Sequence, residues 1–349
     1  MLSPTQLTTR EDAVSGALAR GLLSMADAAR APHAVKAPLE DALADAPHGA
    51  PIPADAEWSF WEAAAREPLL RDLAVIGPGG VEEGTFGELE LALRSAPDVR
   101  SALSTLADAS DVLHGVPIFH LVPREDGSAA FVYESAHTRK RDAGNLAAEV
   151  ALATVVEAMR RVAGDRHVSP VSAWLMGRPM ARLSSLSRSL SCPVETGAVM
   201  DRLELERSVL DHPLPDADKR IHELARRVIS LERRERCRSH PSIALRRALV
   251  EAVLRGEPTL EGLADAMSMR PRALRGRLAA EELGLRELVD DARRRAAEHL
   301  LLSGSSPTDV HAKLGYSDLP SFRRACRRWW GMGPRARRAL LHATPRALA

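Results

Sequence analysis

The stretch that most constrains what this chain can fold into is 306–334, SPTDVHAKLGYSDLPSFRRACRRWWGMGP. It predicts two short helices joined by a tight turn. Ser306 is a helix N-cap residue, Pro307 suits the first helical position, and Asp309 stands three residues after the cap. Val310 and Leu314, four apart, give this helix an apolar stripe, and Gly315 provides its stop. Ser317 is placed to cap a second helix. Pro320 is tolerated in that helix's first turn, where no i−4 partner is lost. Phe322, Cys326 and Trp329 recur at helical spacing and face the first helix, leaving Ser321, Arg323, Arg324, Arg327 and Arg328 outside. A capped helix, a glycine turn and a basic second helix predict a helix-turn-helix with an arginine-loaded recognition helix.

The charge distribution agrees with an anionic partner for this end of the chain. The net charge of +1 over 349 residues conceals a surplus of +8 in residues 239–349, from 20 Lys/Arg against 12 Asp/Glu. Residues 1–238 hold 28 against 35, a net of −7. Nucleic acid fits a basic, packed C-terminal third better than a membrane does, and no apolar run is long enough to span a bilayer. The start, MLSPTQLTTREDAVSG, lacks the basic-then-apolar order of a signal peptide, and Cys192, Cys237 and Cys326 have no paired spacing. A reducing cytoplasm without a metal knuckle is the expectation. At 349 residues the chain has room for two domains with real cores. With aromatics at 3%, Leu, Ala and Val must fill those cores.

Upstream of the first stretch lies a second unit of the same kind. Thr259 opens a helix with Leu260, Leu263 and Ala264 inward, Met267 to Met269 make a turn, and Pro271 begins a helix that buries Leu274 and Leu278. Between the two, residues 285–302 form one amphipathic helix with Leu288, Ala292, Ala296 and Leu300 on its inner edge. At 1.5 Å per residue it is about 27 Å long. Successive major grooves on one face of B-DNA lie about 34 Å apart, so one such helix can carry two reading heads to adjacent grooves.

These residues resemble a known family. Leu314-Gly315-Tyr316-Ser317-Asp318, then Phe322, Arg324-Ala325, Arg328-Trp329, Gly331 and Pro334, closely resemble the second helix-turn-helix of AraC/XylS-family transcription regulators. Arg272, Leu274 and Leu278 match the first, and Arg293 and Ala297 match the linker helix. Three positions depart from the pattern. Arg270 replaces the usual capping Ser or Thr, which costs about 1 kcal/mol. Gly276 replaces an exposed Arg, removing a DNA contact and about 1 kcal/mol of helix stability relative to Ala. Cys326 replaces a Phe and leaves a smaller core residue. The second head is therefore expected to carry more of the specificity than the first.

The N-terminal part predicts an α+β domain, helices packed on a small antiparallel sheet. A helix over 11–31 carries Val14, Leu18, Leu22 and Met25 on one face. Residues 32–55, with five prolines, predict a loop or a helix interrupted by loops. Trp58 and Trp61 lie on the next helix as packing residues, a pocket lining being the alternative. Leu89, Leu91 and Leu93 share a helix broken at Ser95-Ala96-Pro97, and Val99, Leu103 and Leu106 share the next. Residues 116–122 and 129–134 flank Arg124-Glu125-Asp126-Gly127-Ser128 as a hairpin. A long apolar helix over 145–162, a strand over 171–176, a helix over 180–190 and a strand-turn-strand around Gly197 follow. The last helix, from Asp216 to about Arg236, places Ile221, Leu224, Val228 and Leu231 inward. Here Gly87 to Leu106, Cys192-Pro193-Val194 and 210–215 (LDHPLP) resemble, more loosely, the arabinose-binding-type effector region of one AraC/XylS subgroup.

The expected organisation is a tail (1–10), an effector-binding and dimerisation domain (11–236), a joint (237–241), and an all-α DNA-binding domain (242–340). That domain holds helix-turn-helix units at 259–280 and 306–330 joined by the helix 285–302, and a second tail (341–349) follows. Arg272, Arg275, Ser321, Arg323 and Arg324 are the expected base-reading residues, since first-turn side chains enter deepest and Arg can bond guanine O6 and N7 together. Arg270, Arg277, Arg327 and Arg328 are expected on phosphates, which fix register without reading sequence. For Arg328 the alternative is a carboxylate partner within the domain. The expected partners are double-stranded DNA, a small-molecule effector at residues the sequence does not name, and a second copy of the chain, with RNA polymerase a further candidate. No cofactor or metal is expected.

Two other readings compete. For an enzyme, His114, His120, His137 and His167 lack ligand spacing, and no nucleophile elbow, phosphate loop or dinucleotide fingerprint is present. Cys192, the one nucleophile to weigh, has no neighbouring His or basic helix start to lower its pKa, and a buried structural cysteine is the better reading. Against an architectural DNA binder without an effector stands the acidic N-terminal domain, which would repel phosphate, although a constitutive regulator whose N-terminal domain only dimerises would also account for it.

Overall fold

A computed structural model describes residues 13–343 apart from 47–49, 115–117, 135–140, 240, 256–257, 268 and 281–283. The expectations for His137, for the first tail, and for the greater part of the second lie outside the described residues. Two compact units divide between Arg236 and Cys237.

The first unit is built as β1 (Ala13–Val14), α1 (Gly16–Ala28), α2 (His33–Asp45), β2 (Ile52–Pro53), α3 (Ala54–Arg66), α4 (Leu73–Ile76), α5 (Glu88–Arg94) and α6 (Val99–His114). Then come β3 (Phe119–Pro123), β4 (Ala129–Tyr133), α7 (Arg141–Ala163), β5 (Ser172–Leu175), α8 (Leu183–Leu190), β6 (Val194–Thr196), β7 (Asp201–Leu205), α9 (Arg207–Leu210) and α10 (Lys219–Ser239). The α+β class holds, and α7 packs across β4, β5 and β7 with Leu146, Leu152 and Met159 fully buried.

The first helix starts five residues later than its apolar pattern predicts. Ser15 caps it, accepting the Leu18 N–H at 3.1 Å, and Val14 belongs instead to β1, paired with Ile52 of β2. Within the proline-rich 32–55 stretch α2 is a continuous helix. Pro38 forgoes one i→i−4 bond there, and complete burial of Leu39 with near-complete burial of Val35 offsets it.

The sheet has the order β3-β4-β7-β5-β6. The β3–β4 hairpin has the expected turn, with Gly127 at φ +83°. The strand-turn-strand around Gly197 is corrected: β6 and β7 do not pair. β5 lies between them, antiparallel to β7 and parallel to β6. Helix α8 is the reason, because it carries the chain back over the sheet between β5 and β6, and a helical crossover delivers a parallel strand. Two buried carboxylates hold the 176–181 loop against this frame. Glu149 accepts the Met180 N–H at 2.6 Å, and Asp201 accepts the Met176 N–H at 2.7 Å. Burial pushes Glu149 up to about 7 and Asp201 up to about 6.

The inner face of α10 is also corrected. His222, Ala225 and Ile229 are buried, whereas Ile221, Leu224 and Leu231 are 41%, 62% and 61% exposed. Both faces of α10 carry apolar residues, so periodicity alone cannot choose between them. The small Ala225 permits close approach, and His222 Nδ1 lies 2.8 Å from the Ala92 carbonyl. Arg233, bonded to Asp111 at 3.0 Å, completes the docking onto α6.

The second unit is all-helical: α11 (Pro241–Leu254), α12 (Leu260–Ala266), α13 (Pro271–Ala280), α14 (Leu285–Leu302), α15 (Pro307–Lys313), α16 (Leu319–Trp330) and α17 (Pro334–His342). Helix α14 packs on α11, α15 and α17. Its buried apolar residues are Leu288, Ala292, Ala297, Leu301 and Leu302, whereas Ala296 and Leu300, expected on the inner edge, are half-buried. α17 had no counterpart in the sequence reading, although Gly333-Pro334 is a helix-start pattern. No described helix is long and apolar enough to cross a membrane.

Candidate functional site

The second head is held at both helix starts by side-chain caps. Ser306 and Asp309 form a complete capping box at α15, and Gly315 follows with φ +68°. At α16 the cap is Asp318, not Ser317: Asp318 Oδ1 accepts the Ser321 N–H at 2.6 Å. The reason is Pro320. A cap at Ser317 would put the third helical position on a residue with no N–H, whereas a cap at Asp318 puts it on Ser321. Hydrogen bonds from Ser321, its backbone N–H foremost, hold the Asp318 carboxyl below its ordinary range.

These caps fix which way α16 faces. Phe322, Ala325 and Cys326 are buried, and Arg323, Arg324, Arg327 and Arg328 are exposed on the far side. The four arginines differ in their commitments. Arg324 donates to Ser321 Oγ at 2.8 Å, which aligns two candidate base-reading groups on one edge. Arg328 pairs with Asp290 of α14, and Trp329 donates to the same carboxylate at 2.8 Å, so the intradomain partner considered for Arg328 is present. Among the described residues no ion pair engages Arg323 or Arg327. Both line a groove shared with Arg335 and Arg338 of α17. Those last two cations were missed from the sequence because α17 itself was missed. The turn is packed by Arg293 of α14, whose guanidinium lies 4.9 Å from the Tyr316 ring centroid.

On the first head Leu274 and Leu278 are buried, and Arg272 and Arg275 are exposed three residues apart on one face of α13. Arg277 is half-buried, nearer the packed side. Arg270 is exposed, and its carbonyl accepts the Ala273 and Leu274 N–H groups at 2.9 and 3.1 Å. Its backbone thus opens the helix where Ser or Thr would also supply a side-chain cap. A side chain at Gly276 would meet nothing within 4 Å.

The first unit contains a cavity of about 540 Å³ bounded by α1, α3, α5, α6, α7 and the β3–β4 hairpin. Trp61 lines it, so that residue serves a cavity as well as helix packing. Glu57, one turn earlier on α3, is 2% exposed; its Oε1 accepts the Trp61 indole N–H at 3.1 Å and lies 3.6 Å from His114 Nδ1. The sequence signal for this cluster was an acid four residues before a tryptophan on one helix face. At the cavity's rim Arg94 is bonded to Asp216 at 2.8 Å and also pairs with Glu83. Arg161 donates to the Val81 carbonyl at 2.8 Å and holds the 78–81 segment in place. Cys192 is buried, and burial pushes its thiol up to about 11, away from thiolate chemistry.

An α+β unit with a cavity, followed by two helix-turn-helix heads joined by one linker helix, defines a two-domain helix-turn-helix regulator. Residues 28–214, more than half of the chain, match the model of the arabinose-binding N-terminal domain of AraC transcription regulators, and residues 263–339 match a helix-turn-helix domain. The chain belongs to the AraC family of transcription regulators.

Among similar proteins, the HTH-type transcriptional regulator VirS of Mycobacterium tuberculosis is 30% identical over 181 residues, which are 47% of this chain and 52% of VirS. VqsM of Pseudomonas aeruginosa is 45% identical over 75 residues, 21% of this chain and 23% of VqsM. The chain thus spans about half the length, or less, of the curated relatives it matches. The crystal structure of the transcriptional regulator CdpR from P. aeruginosa aligns with 86% of this chain and 96% of CdpR at 21% identity. Its TM-score is 0.41.

Proposed function

We propose that this protein is a sequence-specific DNA-binding transcription regulator acting in the cytoplasm. In this reading its two heads enter adjacent major grooves, and a small molecule held in the first unit modulates binding. The observation that carries the reading is the outer face of α16, where Arg323, Arg324 and Arg327 are exposed opposite a wholly buried packing face. Ser321, Arg323, Arg324, Arg272 and Arg275 read base edges. Arg270, Arg277 and Arg327 bind phosphate, joined by Arg335 and Arg338 along the groove. Arg328, paired with Asp290, mainly positions α16. The relatives' names, all of helix-turn-helix transcriptional regulators, support the same reading.

The apolar stripe of α10, exposed at Ile221, Leu224 and Leu231 and half-buried at Val228, supports a homodimer. Ile221, Leu224, Val228 and Leu231 are spaced three, four and three apart, the a/d pattern of a two-helix seam. The exposed Arg227 and Glu232 flank it five residues apart. In a parallel pair that spacing sets Arg227 of one copy beside Glu232 of the other.

Selection of bound sequences from random duplex DNA with the purified protein tests the core reading. The expected result is one asymmetric motif with two conserved blocks about one helical turn, roughly 10 bp, apart. Recovery of no motif, with binding that follows only ionic strength, would leave a non-specific DNA binder. Effector action requires that a ligand bind differently to the states it shifts, so DNA affinity measured with and without candidate ligands tests that part.

A further inference from the structure

We propose that the cavity of the first unit takes a largely apolar ligand bearing a single hydroxyl or amino group, seated with that group at Glu57, and not a polyhydroxylated sugar. This rests on the reading that the first unit holds an effector. The volume of about 540 Å³ lies in the range of small-molecule sites. The space exists because α7 presents Ala147, Ala151 and Ala158 toward it where larger residues would fill it. The remaining wall is dominated by residues such as Leu22, Met25, Leu106, Phe119 and Val150.

Most of the charged lining residues are engaged within the protein: Glu90 accepts the Gly84 N–H at 2.9 Å, and Glu157 pairs with Arg161 at 3.3 Å. At the rim, Arg94 is engaged by Asp216 and Glu83, and Arg161 by backbone carbonyls, so these charges already have partners within the protein. Along the wall, Thr154 Oγ1 donates to its own helix at the Val150 carbonyl, 2.7 Å away. The interior polar cluster is Glu57 with Trp61 and His114 at one end. A pentose would bring several hydroxyls against hydrocarbon, and each buried hydroxyl without a partner opposes binding. An apolar molecule with one donor group places that donor on the Glu57 carboxylate and its body against the wall. A carboxylate of the same shape brings no donor to the Glu57 oxygens, which already act as acceptors toward the Trp61 N–H.

The test uses the full-length protein and N-phenyl-1-naphthylamine, an uncharged aromatic amine that fluoresces in apolar surroundings. The probe is then displaced by decan-1-ol, decylamine, decanoate or L-arabinose. The expected result is saturation at one probe per chain and displacement by the alcohol and the amine. Decanoate should be at least about tenfold weaker, and L-arabinose should have no effect. Glu57→Gln should narrow the gap between amine and acid. Ala151→Trp should weaken the probe by about tenfold or more, with its thermal unfolding compared to the parent's.

Displacement by L-arabinose, equal displacement by decanoate and decylamine, or no saturable probe binding would overturn the proposal. All three are read on the unaltered protein and do not depend on either variant folding. DNA affinity in the presence of each ligand separates this proposal from the reading beneath it. An apolar amine that binds without changing DNA affinity upholds the ligand class and removes the effector role. A sugar that changes DNA affinity upholds the effector role and overturns the ligand class.

Discussion

Trp329 on α16 donates its indole N–H to Asp290 on α14 at 2.8 Å, and the same carboxylate pairs with Arg328. One acidic side chain on the linker helix therefore sets the rotation of the second head through two neighbouring residues. Its removal leaves a half-buried indole donor without its partner and releases an arginine toward solvent. Asp290→Ala should lower the stability of the second unit by about 1–3 kcal/mol, read as a fall in the denaturation midpoint. Specific DNA binding should weaken more than non-specific binding, because orientation is lost while charge becomes more positive. Equal losses on both kinds of DNA would mean that Asp290 has no orienting role.

The two edges of α16 should respond differently. Arg324, aligned with Ser321 at 2.8 Å, is assigned to bases, and Arg324→Ala should cost roughly 1–3 kcal/mol at one position of the site and relax preference there. Arg327, on the edge that faces the Arg335–Arg338 groove, is assigned to phosphate. Arg327→Ala should weaken all sequences alike and reduce the slope of log affinity against log salt by about 1. Titrations at several salt concentrations on matched and mismatched duplexes distinguish these outcomes. A uniform loss for Arg324→Ala would move it to the phosphate set.

Several features were legible before the structure because the relevant chemistry is local. The Ser306–Asp309 box, the glycine after α15 and the 124–128 turn depend on residues a few positions apart, and each occurs as read. Arg272 and Arg275 of α13 and the arginines of α16 fall on the outer faces because buried residues in the same helices fix the rotation. What the sequence did not reveal depends on tertiary choice. Helix α10 has two apolar faces and only packing against α5 and α6 decides between them. The β5–β6 pair is parallel because of where α8 returns the chain. Ser317 and Asp318 are both good caps until the proline two positions on is counted. The cavity was hidden for a different reason: it is made by the small side chains of α7, and alanine in a helix looks like propensity, not space.

The first head has a correctable weakness. Gly276 lies within α13, and a Cβ there meets nothing within 4 Å. Gly276→Ala should therefore stabilise the second unit by about 1 kcal/mol through helix propensity alone, measurable by urea denaturation. Gly276→Arg should add to DNA affinity as well, placing a cation at an exposed position of the helix assigned to DNA reading in the first head. No gain in stability with alanine would show that α13 is already limited by its arginine-headed start at Arg270.

The buried acids make a pH prediction for the first unit. Glu149 is raised from 4.5 to about 7, with burial the main cause, the Met180 and Ala181 N–H groups opposing it, and nearby Asp201 adding to it. A group whose folded pKa lies above its unfolded value contributes stability below the unfolded value and loses it as pH rises through the folded one. The Glu149 contribution is thus full near pH 4.5 and gone above about pH 7. Glu149→Gln, which keeps an acceptor for Met180, should flatten the pH dependence across that window by on the order of 2–3 kcal/mol. Thermal melts of both proteins at stepped pH give the comparison, and superimposable pH profiles would remove Glu149 as the titrating group.

The stripe on α10 makes the last prediction, because an apolar row of this spacing is costly to leave in water. Leu224 and Leu231 are 62% and 61% exposed, and burying a leucine side chain is worth about 1.5–3 kcal/mol. In a two-fold pair each residue is buried twice, so Leu224→Glu should weaken self-association by well over about tenfold. Sedimentation equilibrium should find the parent dimeric at micromolar concentration and the variant monomeric. Because His222, Ala225 and Ile229 hold the opposite face of the helix, the variant should keep the parent's unfolding midpoint once the linked dimer term is removed by working at low concentration. Charge decides orientation. Arg227→Glu should weaken a parallel seam by opposing Glu232, and Arg227→Glu combined with Glu232→Arg should restore it. In an antiparallel seam Arg227 would face arginines of the other copy, so the single change would strengthen association. A parent that sediments as a monomer at every concentration would leave the stripe without this role.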